Sequence, residues 1–285
     1  MIRPPARATG AGLADLHIHS QYSDGTLTPE EILSLAAAAG VSHIAITDHD
    51  TLEGARRLAQ LPIPDGLALF TGVELDALED GLNYHILGYG VCLDDEAFAR
   101  FVRAEGELLE EFNRQLIQKL SADDARITLP DYDAFTYDQR LGGWKALHYF
   151  IHKGLTSSLQ EGFGVYARYH HTYRCVPFPG VAAVCRAIHQ AGGKAILAHP
   201  GRVIPATELY RVLDRLCSLG LDGLECYYPS HGEWMTEACL SYCRARGLLI
   251  TAGSDCHGSF EATQIGDPRV RTDQLVLGFS PVDKP

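Results

Sequence analysis

Six histidines and three carboxylates fall where short apolar runs end, and their types and spacing suit metal chemistry. In LADLHIH, Asp15, His17 and His19 lie two apart, and residues two apart in a strand share a face. His49 follows residues 44–47, Glu74 follows 67–71 and His199 follows 196–198. Asp255 and His257, again two apart, follow 248–252. His85 sits within NYHILGYG, and Asp24 in the SDG loop after the first run.

A lone histidine after a strand is usually packed or solvated. A whole set converging on one end of a barrel is different, because unpaired titratable groups there repel one another and lose hydration. Divalent ions remove that cost by neutralising carboxylates and accepting imidazole lone pairs. The candidate ligands are His17, His19, Asp24, His49, Glu74, His85, His199, Asp255 and His257. They are too many for one tetrahedral ion but suit two or three that share a bridging carboxylate. Such a cluster generates hydroxide near neutral pH and clamps both oxygens of an in-line displacement at phosphorus. The same spacing could serve amide hydrolysis. No Ser-His-Asp elbow, P-loop or GxGxxG competes as the centre of chemistry.

The elements that must gather these groups are legible in outline. Seven apolar runs (LADLHIH, SHIAITDHD, LALFTGVE, NYHILGYG, KAILAHPG, LDGLECYY and LLITAGSDCH) read as strands. Helix-like stretches separate several of them. Thr28-Pro29-Glu30-Glu31 is a capping box with proline at the first helical position, and Gly40 ends that helix. Further helices are expected over 182–190, 208–219 and 234–246. Strands alternating with helices imply parallel pairing in a closed or nearly closed α/β barrel, whose strand ends carry the site. The alternation breaks from about 94 to 179, where a long charged helix over 98–120 precedes aromatic-rich sequence. That segment is expected to be an inserted helical subdomain capping the barrel mouth. The resulting division is a flexible tail over 1–12, barrel over 13–93, insert over 94–179 and barrel over 180–285.

With 285 residues and 46% hydrophobic content, the chain can bury a large core. Its formal net charge of −12 argues against coating a long nucleic acid. It leaves room for a small phosphorylated substrate, because bound metals reverse the local field. No apolar run is long enough for a membrane span. The Arg/Pro/Ala-rich start reads as a loose tail and not a signal peptide. The eight cysteines contain no CxxC pair, and with no export signal they are expected as reduced thiols in a cytoplasmic protein.

The ordered motifs DLHIHSQYSDG, ITDHD, GVE, HILGYG, AHPGR and GSDCHG resemble those of the polymerase-and-histidinol-phosphatase (PHP) family. The resemblance spans roughly 13–92 and 180–260. It implies a distorted (β/α)7 barrel and a site of two or three ions, commonly manganese, iron or zinc. It further implies a first metal on His17, His19, Glu74 and Asp255, and a second sharing Glu74 and completed by His85 and His199. Asp24, His49 and His257 would hold a third, with Asp15 and Asp48 behind them orienting histidines. A metal-bridging hydroxide would be the nucleophile. By the same resemblance, Arg202 in HPGR would grip phosphate with its bidentate fork. His231 would contact phosphate or protonate the leaving group, and Asp255 is counted with these two as catalytic. Nucleotide-phosphatase relatives carry Arg-x-His in the insert, where this chain has Gly142-Gly143-Trp144-Lys145. Lys145 is therefore the expected phosphate contact there, and Trp144 a stacking or packing face. The expected function is hydrolysis of a small phosphorylated metabolite: a nucleotide, a sugar phosphate or a cyclic ribose phosphate. A nuclease acting on short RNA or DNA ends, or a non-catalytic metal-binding module, are the alternatives.

Overall fold

In the strands Val41–Ile46 and Ala68–Glu79 and the run that ends at Tyr89, one face changes character along its length. Ala45, Phe70, Leu87 and Tyr89 belong to one buried apolar cluster with Leu16, Ile196 and Ala198. Two or four residues nearer the site, the same parity gives His49, Glu74 and His85. A strand period of two therefore places an apolar floor and a polar mouth on the same face. The computed structural model describes residues 12–282; the expected tail over 1–12 lies almost wholly outside them.

The strands are β1 (Leu13–Asp15), β2 (Val41–Ile46), β3 (Ala68–Glu79), β4 (Leu82–Tyr89), β5 (Lys194–Leu197), β6 (Gly223–Tyr227), β7 (Leu249–Ala252) and β8 (Val270–Arg271). They form one sheet in the order β7-β6-β5-β4-β3-β2-β1-β8. The ring is nearly closed where β7 meets the continuation of β1. There Leu16 N–H donates to Ala252 O (3.0 Å), Asp255 N–H donates to His17 O (2.8 Å), and Ile18 bridges Cys256. The helices are α1 (Pro29–Ala39), α2 (Glu53–Ala59), α3 (Glu96–Asp123), α4 (Leu129–Ala134), α5 (Lys145–His152), α6 (Leu159–Arg168), α7 (Val181–Gln190), α8 (Pro200–Val203), α9 (Leu209–Ser218) and α10 (Glu233–Arg246). The Thr28 capping box and the left-handed Gly40 bound α1 as its sequence requires.

One expectation is overturned. The strands are not all parallel: β4 runs antiparallel to both β3 and β5, and β8 antiparallel to β1. The cause is local. Asp80 and Gly81 join β3 to β4 with φ of 50° and 79°, the positive pair that a two-residue hairpin demands and that Asp-Gly favours. This hairpin sets Asp76 opposite His85, which carries His85 to the diagonal neighbour Glu74.

Helices α7, α9 and α10 pack outside β3 to β7, with Val184, Ile188, Leu213, Leu216, Cys239 and Cys243 in their shared core. Helices α1 and α2 cover β1 and β2. Helices α3 to α6 gather a separate core of Leu116, Ile117, Tyr132, Leu147, Tyr149, Phe150 and Val165. They are tied to the barrel mouth where Gly143 N–H donates to Asp24 O at 2.7 Å. All eight cysteines are free thiols, Cys226, Cys239 and Cys243 among the buried ones. No helix among the described residues is long and apolar enough to cross a membrane.

Closing the ring brings backbone against backbone at Gly253. A methyl there would stand 2.1 Å from His17 Cβ and 2.7 Å from Glu225 Oε1. Neither group can retreat, so Gly253→Ala should destabilise the protein by roughly 1–3 kcal/mol, as overpacking does. Urea unfolding midpoints check this, and an unchanged midpoint would contradict the close contact.

Candidate metal centre

Glu74 is fully buried at the middle of the barrel mouth. Its Oε2 lies 3.1 Å from Nε2 of His17, 3.1 Å from Nε2 of His19 and 3.3 Å from Nδ1 of His49. Its Oε1 lies 2.9 Å from Nδ1 of His85 and 3.1 Å from Nε2 of His199. Five imidazoles thus surround one carboxylate, three at one oxygen and two at the other.

Asp255 Oδ1 completes the first side, 3.3 Å from His17 Nε2 and 3.1 Å from His19 Nε2. Those two ring nitrogens face each other at 3.1 Å. Such spacings approach the ~3.4 Å edge of a tetrahedron with bonds of about 2.1 Å to a central ion. Beyond His19, Asp24 Oδ1 lies 3.3 Å from His257 Nε2 and 3.6 Å from His19 Nδ1. The His19 and His257 rings stack at 4.1 Å. Three groups therefore offer ligand atoms within 4.8 Å of one another: His17, His19, Glu74 and Asp255; His49, Glu74 and His85; and His19, Asp24, His49 and His257. His199 stands outside the second group yet touches Glu74, while His49 reaches the second and third groups alike. The buried Nδ1 atoms of His19 and His199 have no hydrogen-bond partner. Unpartnered nitrogens, apposed imidazoles and buried carboxylates are the donor set of a metal site, and the residues fit one.

The charges show what such ions would replace. Burial alone would push the Glu74 carboxyl up, but the imidazoles of His49, His17 and His85 outweigh it and hold it well below the usual range. Burial would lower His85, yet Glu74 and Asp76 raise it to about 9. Burial likewise opposes the charge on His257, and Asp24 lifts it to about 10. Protons on these rings are the counter-charges that divalent ions displace.

A cavity of ≈ 230 Å³ opens over this cluster, lined by His49, His85, His199 and Asp255 together with Arg202, Trp144, Phe163 and Tyr173. The PHP domain family model matches residues 15–209. The chain belongs to the PHP family of metal-dependent phosphoesterases. It is 29% identical over 261 residues to a phosphoribosyl 1,2-cyclic phosphate 1,2-diphosphodiesterase of Eggerthella lenta, covering 87% of this chain and 95% of that one. It is 26% identical over 251 residues to the 5'-3' exoribonuclease Rnm of Escherichia coli, covering 87% and 86%. Among solved structures, a Bifidobacterium adolescentis protein assigned as a metal-dependent phosphoesterase superimposes with a TM-score of 0.76. That match has 26% identity and covers 92% of this chain and 93% of its own.

Around this cluster, residues that the motifs do not announce hold the candidate ligands in place. Glu225, fully buried in β6, sets Oε1 3.0 Å from His17 Nδ1 and accepts the His199 N–H at Oε2 (2.8 Å). A carboxylate behind a ligating histidine fixes its ring and tautomer. Asp76 Oδ1 lies 3.3 Å from His85 Nε2. Tyr228 O–H donates to Asp255 Oδ2 (2.9 Å), and Arg202 Nη1 donates to that same oxygen (3.0 Å). Asp50 and Glu105 are also buried near Asp76. Burial, then repulsion from Asp76, pushes Glu105 up to about 8, and Asp50 rises well above its usual value. A lone carboxylate inside an apolar strand, as in LECYY, was the one available sign of Glu225.

Four residues with expected roles look different in place. Asp48 accepts from Ser20 N–H (2.6 Å), Ser20 O–H (2.7 Å) and Ser23 O–H (2.7 Å), so it braces the loop before Asp24 and orients no histidine. Asp15 accepts from Ser254 and Gly266 N–H and, weakly, from His17 N–H. Lys145 swings away from the cavity: its amine lies 4.0 Å from Glu110 Oε1 and 4.5 Å over the Tyr132 ring. As the first residue of α5, it follows the acidic flank of α3, while Trp144 before it turns to the cavity with its ring 5.4 Å from that of His49. His231 has both ring nitrogens engaged by backbone groups, Nδ1 with Cys226 O and Nε2 with Gly201 N–H. His148 and His171 are bound within the insert.

Because ligating imidazoles must be bare, metal binding has to expel the protons that sit on His85 and His257 below about 9 and about 10. Affinity should therefore fall as pH falls from 8 to 6, by roughly tenfold per pH unit for each proton released. Calorimetric titration of metal into the stripped protein in buffers of different ionisation enthalpy counts those protons, and a pH-independent affinity would contradict the scheme. Glu74→Gln should cut metal content and lower phosphoester hydrolysis by more than roughly 100-fold, beyond what losing an outer partner costs. Retained metal and activity in that variant would remove Glu74 from the centre.

Proposed function

We propose that the chain hydrolyses a mono- or diester of a small phosphorylated metabolite: a nucleotide, a sugar phosphate or a cyclic ribose phosphate. The observation that carries this reading is the ≈ 230 Å³ cavity, in which Arg202 lies beside the ligand set beneath Trp144 and Phe163. A space of that size suits one small ester, and the net charge of −12 disfavours a long polyanion. Under this reading His17, His19, Glu74 and Asp255 hold a first ion, Glu74 is shared with His85 and His199, and Asp24, His49 and His257 hold a third. Residues 94–179 form the cap. Two or three divalent ions (manganese, iron or zinc), when bound there, supply Lewis acidity and an activated water for attack at phosphorus.

The chain's own groups then bind and orient. Arg202 keeps Nη1 on Tyr228 and Asp255 and offers its remaining donors to a phosphate oxygen; burial opposes its charge, but Tyr228 and Asp255 outweigh burial and keep the guanidinium charged. Trp144 presents a ring face to the organic part of the ester, and Phe163 and Tyr173 exclude water from the same side. The resemblance to an exoribonuclease keeps a second reading in view, in which the ester is the end of a short oligonucleotide.

Purified protein with added manganese should release phosphate from at least one member of a panel of nucleotides, sugar phosphates and cyclic ribose phosphates. Shortening of a labelled oligonucleotide without turnover of the panel would favour the nuclease, and turnover of neither would favour a non-catalytic module.

A further inference from the structure

The turn after β5 carries two groups of the site, His199 at its start and Arg202 three residues on, and its backbone is not relaxed. His199 sits at φ 27° and ψ 58°, a left-handed conformation that a non-glycine residue holds only where its surroundings enforce it. Two contacts enforce it from the neighbouring strand β6 and the residues after it. Glu225 Oε2 accepts the His199 N–H at 2.8 Å. His231 supplies the second: the Gly201 N–H donates to its Nε2 at 3.0 Å, and its Nδ1 lies 3.0 Å from Cys226 O.

The proton on this ring follows from its partners. A carbonyl oxygen only accepts and a backbone N–H only donates, so Nδ1 must carry the hydrogen and Nε2 must be bare. With both nitrogens bonded, neither is free to give a proton to a leaving group. The ring is packed for this duty. A methyl at Gly201 would come 2.8 Å from His231 Cδ2, so glycine lets the turn approach the imidazole. Tyr228 meets the ring edge-on at 5.3 Å while its hydroxyl holds Asp255 and Arg202. From Glu225 to His231, one short segment thus touches His17, His199, Gly201, Arg202 and Asp255.

We propose that His231 is a positioning residue, a neutral strut between β6 and the His199–Arg202 turn that sets where a metal-ligating imidazole and the phosphate-binding guanidinium stand, and that it is not the general acid of the reaction. The kinetic part of this inference rests on the phosphoesterase reading, and the assignment of the ring proton does not.

Two measurements test it. In wild-type protein with histidine ring nitrogens labelled with ¹⁵N, the His231 signals, identified by their loss in His231→Gln, should show a protonated Nδ1 and a bare Nε2. A proton on Nε2 overturns the proposal. In the kinetic arm, His231→Ala should lower kcat/KM by roughly 10- to 100-fold, as loss of an outer support does, and should lower the metal held at His199. His231→Gln keeps an acceptor for the Gly201 N–H and should recover most of that loss. The ratio of rates for a nitrophenyl ester and an alkyl ester should match wild type in both variants, because a strut does not sense the leaving group. A general acid gives the opposite pattern: no rescue by Gln, which cannot transfer a proton, and a loss confined largely to the alkyl ester. If wild-type protein hydrolyses no ester at all, the phosphoesterase reading falls, and the ring-proton assignment with the metal content of the two variants still decides the strut. Should His231→Ala not fold, the nitrogen signals and the Gln variant carry the test.

Discussion

One fully buried carboxylate with five imidazoles within 3.3 Å is a constraint that the remainder of the structure must satisfy. Glu74 cannot be solvated, and the rings around it cannot all be protonated without repelling one another. Nor can they all be neutral, since Asp24 and Asp255 add further negative charge at the same mouth. Charge balance there requires protons or multivalent cations, and only cations leave the ring nitrogens bare and aimed at common points. The high values for His85 and His257 express that demand from the side of the protons.

Meeting it takes unusual backbone. His199 and Asp255 both adopt positive φ, as does Asp50 beside His49. Strain at such sites persists only where packing over-determines it. Here the determinants are polar and specific: Glu225 on His199 and His17, Tyr228 and Arg202 on Asp255, and Asp15 on the segment before Asp255. Strand β6 contributes no candidate ligand of its own, and yet its Glu225 braces both His17 and His199. The barrel's closure at Gly253 belongs to the same economy, since β7 approaches β1 closely enough to touch His17.

The sequence disclosed the candidate ligands more readily than their supports, for a physical reason. A ligand must sit at a strand end with a donor atom facing inward, so its spacing and residue type are constrained together, and six short motifs in order expose that. A support has to satisfy only one neighbour, which lies far away in sequence: Glu225 serves His17 and His199, and its place in LECYY carries no local pattern. The antiparallel β4 was a different miss. Asp80-Gly81 between alternating residues is a hairpin signal present in the chain, hidden because the surrounding strand–helix alternation argued for parallel pairing. Lys145 and His231 show the limit of aligning positions. Each occupies the place a resemblance assigns, but Lys145 follows the charge of Glu110 and His231 the backbone of Gly201 and Cys226, preferences that only neighbours in space can set.

The measurement that bears most directly on the central claim is a crystal structure of the metal-loaded protein, with anomalous scattering recorded at the manganese, iron and zinc edges. The account requires at least two ions at the barrel mouth, with the two oxygens of Glu74 bound to different ions and His17, His19 and Asp255 on one of them. Ions absent from that pocket at full loading, or bound elsewhere with Glu74 still wrapped in protonated imidazoles, would contradict it.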